Sequence, residues 1–225
     1  MAGRRRAKRD AAAAGTQPDA PAAARVRMTG TERRQQLLNV ARALFAEKGY
    51  DGTSVEEIAR RANVSKPVVY EHFGGKEGVY AVVVDREARA ILDRMVSSLH
   101  ADHPRAMLEQ AANALLGYVD ESHEGFRILV RDSPVASSTG TFSTLLNDIA
   151  SQVEDIFGEE FSARGYDGKL APLYAQALVG MVALTGQWWL DAHKPKRDEV
   201  VAHLVNLAWN GLSNLEHKPK LRVTD

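Results

Sequence analysis

The chain has 225 residues, 44% hydrophobic and 26% charged, which is enough apolar material for one or two buried cores. It carries 29 Lys and Arg against 29 Asp and Glu and no cysteine, so a disulfide framework and a thiolate metal site are excluded and a cytosolic protein fits. The neutral sum conceals a division: residues 1–80 hold 15 basic against 9 acidic side chains and residues 81–225 hold 14 against 20, so the first third suits a polyanion and the rest another task.

Residues 1–30 are rich in Ala, Arg, Pro and Gly with no large aliphatic side chain before Val26, the composition of a disordered basic arm. Its start, "MAGRRRAKRDAAAAG", has a basic front but only four alanines where a signal peptide needs an apolar core. In "TERRQQLLNVARALFAEKGY", Thr31 can cap a helix whose buried face is Leu37, Ala41, Leu44 and Phe45, and Gly49 supplies a left-handed stop. In "DGTSVEEIARRANV", Thr53 with Glu56, or Ser54 with Glu57, offers a capping box, and Val55, Ile58, Ala59 and Ala62 form one stripe. After a turn at Asn63 and Val64, Ser65 caps "KPVVYEHF", with Pro67 in the first turn where its missing N–H costs little. Val69 and Phe73 point inward, leaving Lys66, Pro67, Val68, Tyr70 and His72 outside, and Gly74 and Gly75 end the segment. A helix this short is marginal alone, so its neighbours must hold it and its outer face is free to suit a partner.

No strand pattern follows. Amphipathic stretches at 76–101, 104–122, 125–133, 140–163, 170–193 and 197–215 complete an all-α protein of about nine helices. The run "LAPLYAQALVGMVALTGQWWL" contains Pro172, Gln176, Gly180, Thr185, Gly186 and Gln187 and reads as a buried helix rather than a membrane span.

Two short helices joined by a tight turn, the second exposing small, apolar, basic and hydroxyl groups, form a helix-turn-helix. Pro67 and Val68 offer apolar contact to a thymine methyl, Lys66 reaches a guanine edge or a phosphate, and Tyr70, His72 and Lys76 suit phosphate oxygens. Arg25 and Arg27, next to the first helix, and "GRRRAKR" further out are candidates for a minor groove or the backbone.

The stretch containing "LFAEKGY", "TSVEEIA", "VSK", "VYEHF" and "GKEGVY" resembles the DNA-binding domain of the TetR family of transcriptional regulators. The resemblance implies DNA contacts at Thr53, Ser65, Lys66, Tyr70, His72 and Lys76; Pro67 departs from the glycine or alanine common there. It also implies a domain order of basic arm 1–30, helix-turn-helix domain 31–78, ligand-binding and dimerisation domain 79–217 and tail 218–225. "YVDESHEGFRILVRDSP", "LLNDIASQV" and the run from 170 to 216 look, within that family, like regulators of fatty-acid synthase genes whose effectors are long-chain acyl-CoAs. The implied protein is a cytoplasmic homodimer on a palindromic operator, without cofactor, membrane or enzymatic activity, released from DNA by acyl-CoA.

Candidate lining of an apolar channel is Leu115, Tyr118, Phe126, Leu129, Val130, Phe142, Leu145, Leu146, Ile149, Val153, Leu178 and Val182, with Arg127 and Arg131, four apart, as cations for a CoA head. The last two helices are apolar on more than one face, so Trp188, Trp189, Val201, Leu204, Val205, Trp209 and Leu212 are candidates for a dimer interface. Other readings stay open at this point: a repressor of an efflux or catabolic operon sensing another hydrophobic molecule, a constitutive DNA-binding protein with a filled core, and an all-helical metalloenzyme built on Glu199 and His203 with Asp191 and His193. The last lacks a second ligand pair at helical spacing.

Overall fold

The computed structural model describes residues 28–101, 103–131 and 142–220, the side chains at 142 and 143 excepted. Among these residues there are nine α-helices: α1 Gly30–Lys48, α2 Val55–Arg61, α3 Lys66–Phe73, α4 Lys76–Ser98, α5 Pro104–Glu121, α6 His123–Val130, α7 Phe142–Ala163, α8 Ala171–Ala192 and α9 Arg197–Ser213. A single 3-10 turn, Gly168–Leu170, leads into α8. Arg25 and Arg27 lie outside the described residues.

The start of α1 differs from the sequence expectation. Thr29, not Thr31, is the cap: its hydroxyl accepts the Glu32 N–H at 3.2 Å and the Glu32 carboxylate accepts the Thr29 N–H at 2.7 Å. The reciprocal box needs an acid three residues after the cap, and Glu32 stands at that distance from Thr29. Gly49, at φ 75°, closes the helix by donating its N–H to the Phe45 carbonyl at 2.8 Å.

Ser54 caps α2 by accepting the Glu57 N–H at 3.1 Å. Asn63 makes the turn to α3 at φ 54°, a left-handed position that Asn tolerates better than most side chains. The Gln36 amide donates to the Ala62 carbonyl at 3.2 Å and so ties α1 to that turn. Val69 is fully buried beneath α3. Gly78, in the first turn of α4, sits so close to α3 that a Cβ would lie 1.9 Å from the Phe73 carbonyl oxygen.

One hydrophobic cluster runs from Leu37 and Phe45 through Tyr80 and Ile91 to Leu116, Phe126 and Leu204. The helix-turn-helix is therefore seated on the same core as the rest of the chain. Tyr80 packs edge to face on Phe45 and Tyr50 at the seam, centred 5.0 Å from each of the other two rings. Beyond it α4 threads into the second half, where α5 packs on α9 and α4 while α7 packs on α8.

Candidate DNA interface and ligand channel

The outer face of α3 presents Ser65, Lys66, Pro67 and Tyr70 to solvent, with His72 half-buried. Ser65 sits at the cap position but its side chain makes no capping hydrogen bond, so the hydroxyl is not engaged at its own helix end. Lys66 forms an ion pair with Glu56 of α2 and lies 5.7 Å from the centre of the Tyr70 ring. That hydrogen bond lowers the Glu56 pKa and raises that of Lys66 from their ordinary values. Both partners are solvent-accessible, and a pair of that kind gives way readily to a phosphate.

Three expected contacts are placed differently. Thr53 is only 2% exposed, and its hydroxyl donates to the carbonyls of Gly49 at 2.8 Å and Leu44 at 3.3 Å. It locks the α1–α2 loop, with its hydroxyl buried and its proton committed to those carbonyls. Val68 is half-buried against the core rather than fully outside, because one step along the helix turns it only about 100° from the buried Val69. Lys76 donates to the Tyr50 carbonyl at 3.0 Å and lies 4.0 Å from the Tyr50 ring centre, so its ammonium already holds the loop before α2.

The seam between the halves is polar at its heart. Glu87 of α4 is buried; it accepts from Arg42 Nε of α1 at 2.8 Å and from the Tyr118 hydroxyl of α5 at 2.5 Å. The same guanidinium reaches Glu124 at 2.7 Å and the Ser122 hydroxyl at 2.5 Å, at the start of α6. Burial first, and the bond to Glu87 second, push the Tyr118 phenol well above its ordinary pKa. Gly125 makes this packing possible, since a Cβ there would stand 1.8 Å from Glu87 Oε2 and 2.5 Å from the Tyr118 oxygen.

Tyr118 is thus committed to the seam and, among the described residues, lines neither of the two apolar chambers described below. Phe126 and Leu129 are likewise buried in the core where α6 packs on α1, and Leu145 is core. Val130 packs beside them at the edge of that core. The two arginines expected at a channel mouth are also elsewhere: Arg131 donates to the Ala46 carbonyl at 3.1 Å at the end of α1, and Arg127 faces Asp191 at 3.5 Å. The reason is the shortness of α6, eight residues whose apolar side is taken up by packing on α1, α4 and α5. The Phe142 side chain is outside the described set.

Two chambers that share part of their lining lie in the second half: one, called inner here, is lined from α4, α5, α7, α8 and α9, and the other, called outer, has no lining from α8. The inner chamber, about 70 Å³, brings together the expected Leu115, Leu146, Ile149, Val153, Leu178 and Val182 with Met95, Leu108 and Met181, and every lining residue is apolar. The outer chamber of about 90 Å³ adds Phe157, Phe161, Trp209 and Leu212, and with them the charged pair Glu160 and Arg164, 3.1 Å apart. The charged side of the outer chamber therefore lies at the C-terminal end of α7. Sequence reasoning missed Arg164; its i, i+4 spacing to Glu160 at the polar end of an apolar helix was the available signal.

The dimer candidates divide. Trp188 is 56% exposed and continues a stripe with Leu173, Ala177, Gly180 and Leu184 along α8, and on α9 Leu207 is 64% exposed. Trp189, Val201, Leu204 and Val205 are instead buried within the chain, Trp189 donating its indole N–H to the Pro195 carbonyl at 2.8 Å. Leu204 and Val205 line the inner chamber, and Trp209 and Leu212 the outer. A helix apolar all round has two faces to cover, and spacing alone does not say which one meets its own core. Among the described residues no three His, Asp or Glu side chains cluster as metal ligands, and no helix is long and apolar enough to cross a membrane.

Residues 37–83 match the sequence model for bacterial regulatory proteins of the tetR family, and residues 104–211 match that for a tetracyclin repressor-like C-terminal domain. The HTH-type transcriptional activator FasR of Mycolicibacterium smegmatis is 29% identical over 196 residues, covering 84% of this chain and 87% of its own. A TetR-like transcriptional regulator from Rhodococcus sp. RHA1 superposes with a TM-score of 0.70 at 24% identity, over 84% of this chain and all of its own. The fatty acid degradation regulator FadR from Bacillus halodurans superposes at 0.68 with 19% identity, over 80% and 96%. At those identities the two structural likenesses speak for the fold.

Proposed function

The chain belongs to the TetR family of bacterial transcriptional regulators, a DNA-binding regulator and not an enzyme, and on that premise we propose that it controls fatty-acid synthase genes, as an activator released from its operator by long-chain acyl-CoA. The observation that carries this reading is the pair of chambers, one lined by apolar side chains alone and the other charged only at Glu160 and Arg164. The likeness to an activator called FasR, which extends over the second half of the chain, supports it.

The energetics are favourable. About fourteen buried methylenes at about 0.8 kcal/mol each set an upper limit near 11 kcal/mol before ordering costs. Micromolar affinity needs about 8 kcal/mol. Small-molecule sites enclose roughly 300–1,000 Å³, and neither chamber approaches that in the present state. A long chain must therefore part α7 and α8 from α5 and α9.

That movement bears on α4, whose Met95 lines both chambers, whose Glu87 holds Arg42 of α1 and whose first turn abuts α3. A coupling of about 1–3 kcal/mol, typical of allosteric proteins, changes operator affinity roughly 5- to 150-fold. The apolar stripe on α8 with Leu207 supplies a face for a second copy, and a two-fold dimer in the cytoplasm reads a palindromic operator. Ser65, Lys66, Pro67, Tyr70 and His72 are the side chains we assign to that operator.

The test is capture of genomic fragments by the purified protein, with and without palmitoyl-CoA. Enrichment of DNA upstream of fatty-acid synthase genes, lost with the thioester, is expected. The inner chamber, without any polar group, would also suit another apolar effector; fragments flanking a transporter or catabolic operon, insensitive to palmitoyl-CoA, would replace the proposal with that second reading.

A further inference from the structure

Away from both chambers, His123 and His193 bring their rings to 5.0 Å between centres, at an angle of 71°. His123 opens α6, and His193 follows the end of α8 at φ 50°, donating its N–H to the Trp189 carbonyl at 2.9 Å. One turn along α6, Arg127 faces Asp191 at 3.5 Å, so the two helices meet through a histidine pair and an ion pair. His123 Nε2 is buried and, alone among the buried side-chain nitrogens and oxygens of the described residues, has no hydrogen-bond partner. A buried ring nitrogen without a partner is unfavourable and calls for a water or an ion. His193 is exposed, so either reaches the pair from solvent.

We infer that His123 and His193 form a two-imidazole site for a divalent transition ion of the zinc, nickel or copper class. The inference is independent of the acyl-ligand reading. A zinc-bound imidazole nitrogen stands about 2.0–2.1 Å from the ion, with the ring centre a little further out, so two imidazoles on one tetrahedral ion have centres about 5 Å apart. The observed separation meets that with rotation of the rings at most, not movement of either helix. Imidazole favours these ions over magnesium and calcium, which take oxygen ligands. The carbonyls that end α8 carry partial negative charge, which suits a cation beside His193. Water completes the coordination, since among the described residues no third His, Asp or Glu joins the pair. The ion ties the start of α6 to the end of α8, between Ser122 and Glu124, which hold Arg42 of α1.

The experiment uses the full chain, free of a histidine tag, in isothermal titration and thermal unfolding with zinc chloride, and magnesium chloride as control. Saturable binding of one zinc per chain is expected, with a rise in Tm of a few degrees at about 100 times Kd and no response to magnesium. His193→Gln and His123→Gln each weaken zinc at least about tenfold, whereas His203→Gln, on α9, leaves it unchanged. His193→Gln, at an exposed position, carries the test should His123→Gln not fold. A wild type that binds no zinc overturns the site and leaves Nε2 to a buried water. Zinc that persists in either variant of the pair, or that is lost in His203→Gln, places the ion on other side chains and overturns it equally.

Discussion

Glu87 and Gly125 carry the two halves of the molecule at the level of single side chains. The Glu87 carboxylate is buried and takes hydrogen bonds from Arg42 and Tyr118, so Tyr118→Phe should cost about 1.5–3 kcal/mol in denaturant unfolding. The pH dependence follows the same bond. The raised phenol pKa means that the folded state holds this proton more tightly than the unfolded chain, so the stabilisation is complete below about pH 10 and is lost as pH rises through the raised value. Tyr118→Phe should flatten that alkaline decline, and unfolding curves collected through the alkaline range would reveal an unchanged slope if it does not. Gly125→Ala forces a Cβ onto Glu87 and should destabilise by about 1–3 kcal/mol, whereas Gly158→Ala, with nothing within 4 Å of its Cβ and a helical backbone, should stabilise by about 0.5–1 kcal/mol. None of this was legible in the sequence, which shows Glu87, Tyr118 and Gly125 as ordinary residues of three amphipathic helices. Their meeting depends on helix crossings that spacing does not encode.

At the scale of elements, the helix-turn-helix was readable because local chemistry determines it. Ser54, Pro67, Gly49 and Gly74 stand at helix ends for reasons contained within a few residues, and the buried stripe Leu37, Ala41, Leu44, Phe45 follows from period alone. The exception is the first cap: Glu32 makes its reciprocal box with Thr29, three residues before it, and not with the adjacent Thr31. On α3 the Lys66–Glu56 pair makes a testable antagonism. Lys66→Ala should weaken operator binding and reduce the salt slope by about one, while Glu56→Gln should tighten binding a few-fold at low salt and not at high salt, by release of Lys66 and removal of a negative charge from the DNA face. Fluorescence anisotropy across a salt series reads both. Equal salt slopes for Lys66→Ala and wild type would remove Lys66 from the phosphate contacts.

At the scale of the molecule, the division into a basic first third and an acidic remainder anticipated a DNA-binding half and a second half with another task. What it left open was which apolar surfaces face a cavity, which a partner and which the core. Leu204 and Val205, read as interface, line the inner chamber; Tyr118 and Phe126, read as channel, hold the seam or the core. Apolar residues at helical spacing look alike until neighbouring helices choose among them. The stripe that remains outside predicts that Leu184→Glu with Trp188→Glu yields a monomer in sedimentation velocity and loses palindrome binding while the helical circular-dichroism signal stays. A dimer that survives both charges would move the interface elsewhere. The central claim, that the apolar chambers take a long acyl thioester, is tested most directly by thermal unfolding of the purified protein with palmitoyl-CoA, beside CoA alone and palmitate alone. At about 100 times Kd a ligand adds roughly 2.7 kcal/mol, which raises Tm by a few degrees in a protein of this size. A saturable rise with palmitoyl-CoA, absent with CoA, is the predicted result; no shift, or a fall with every surfactant-like compound, would contradict it.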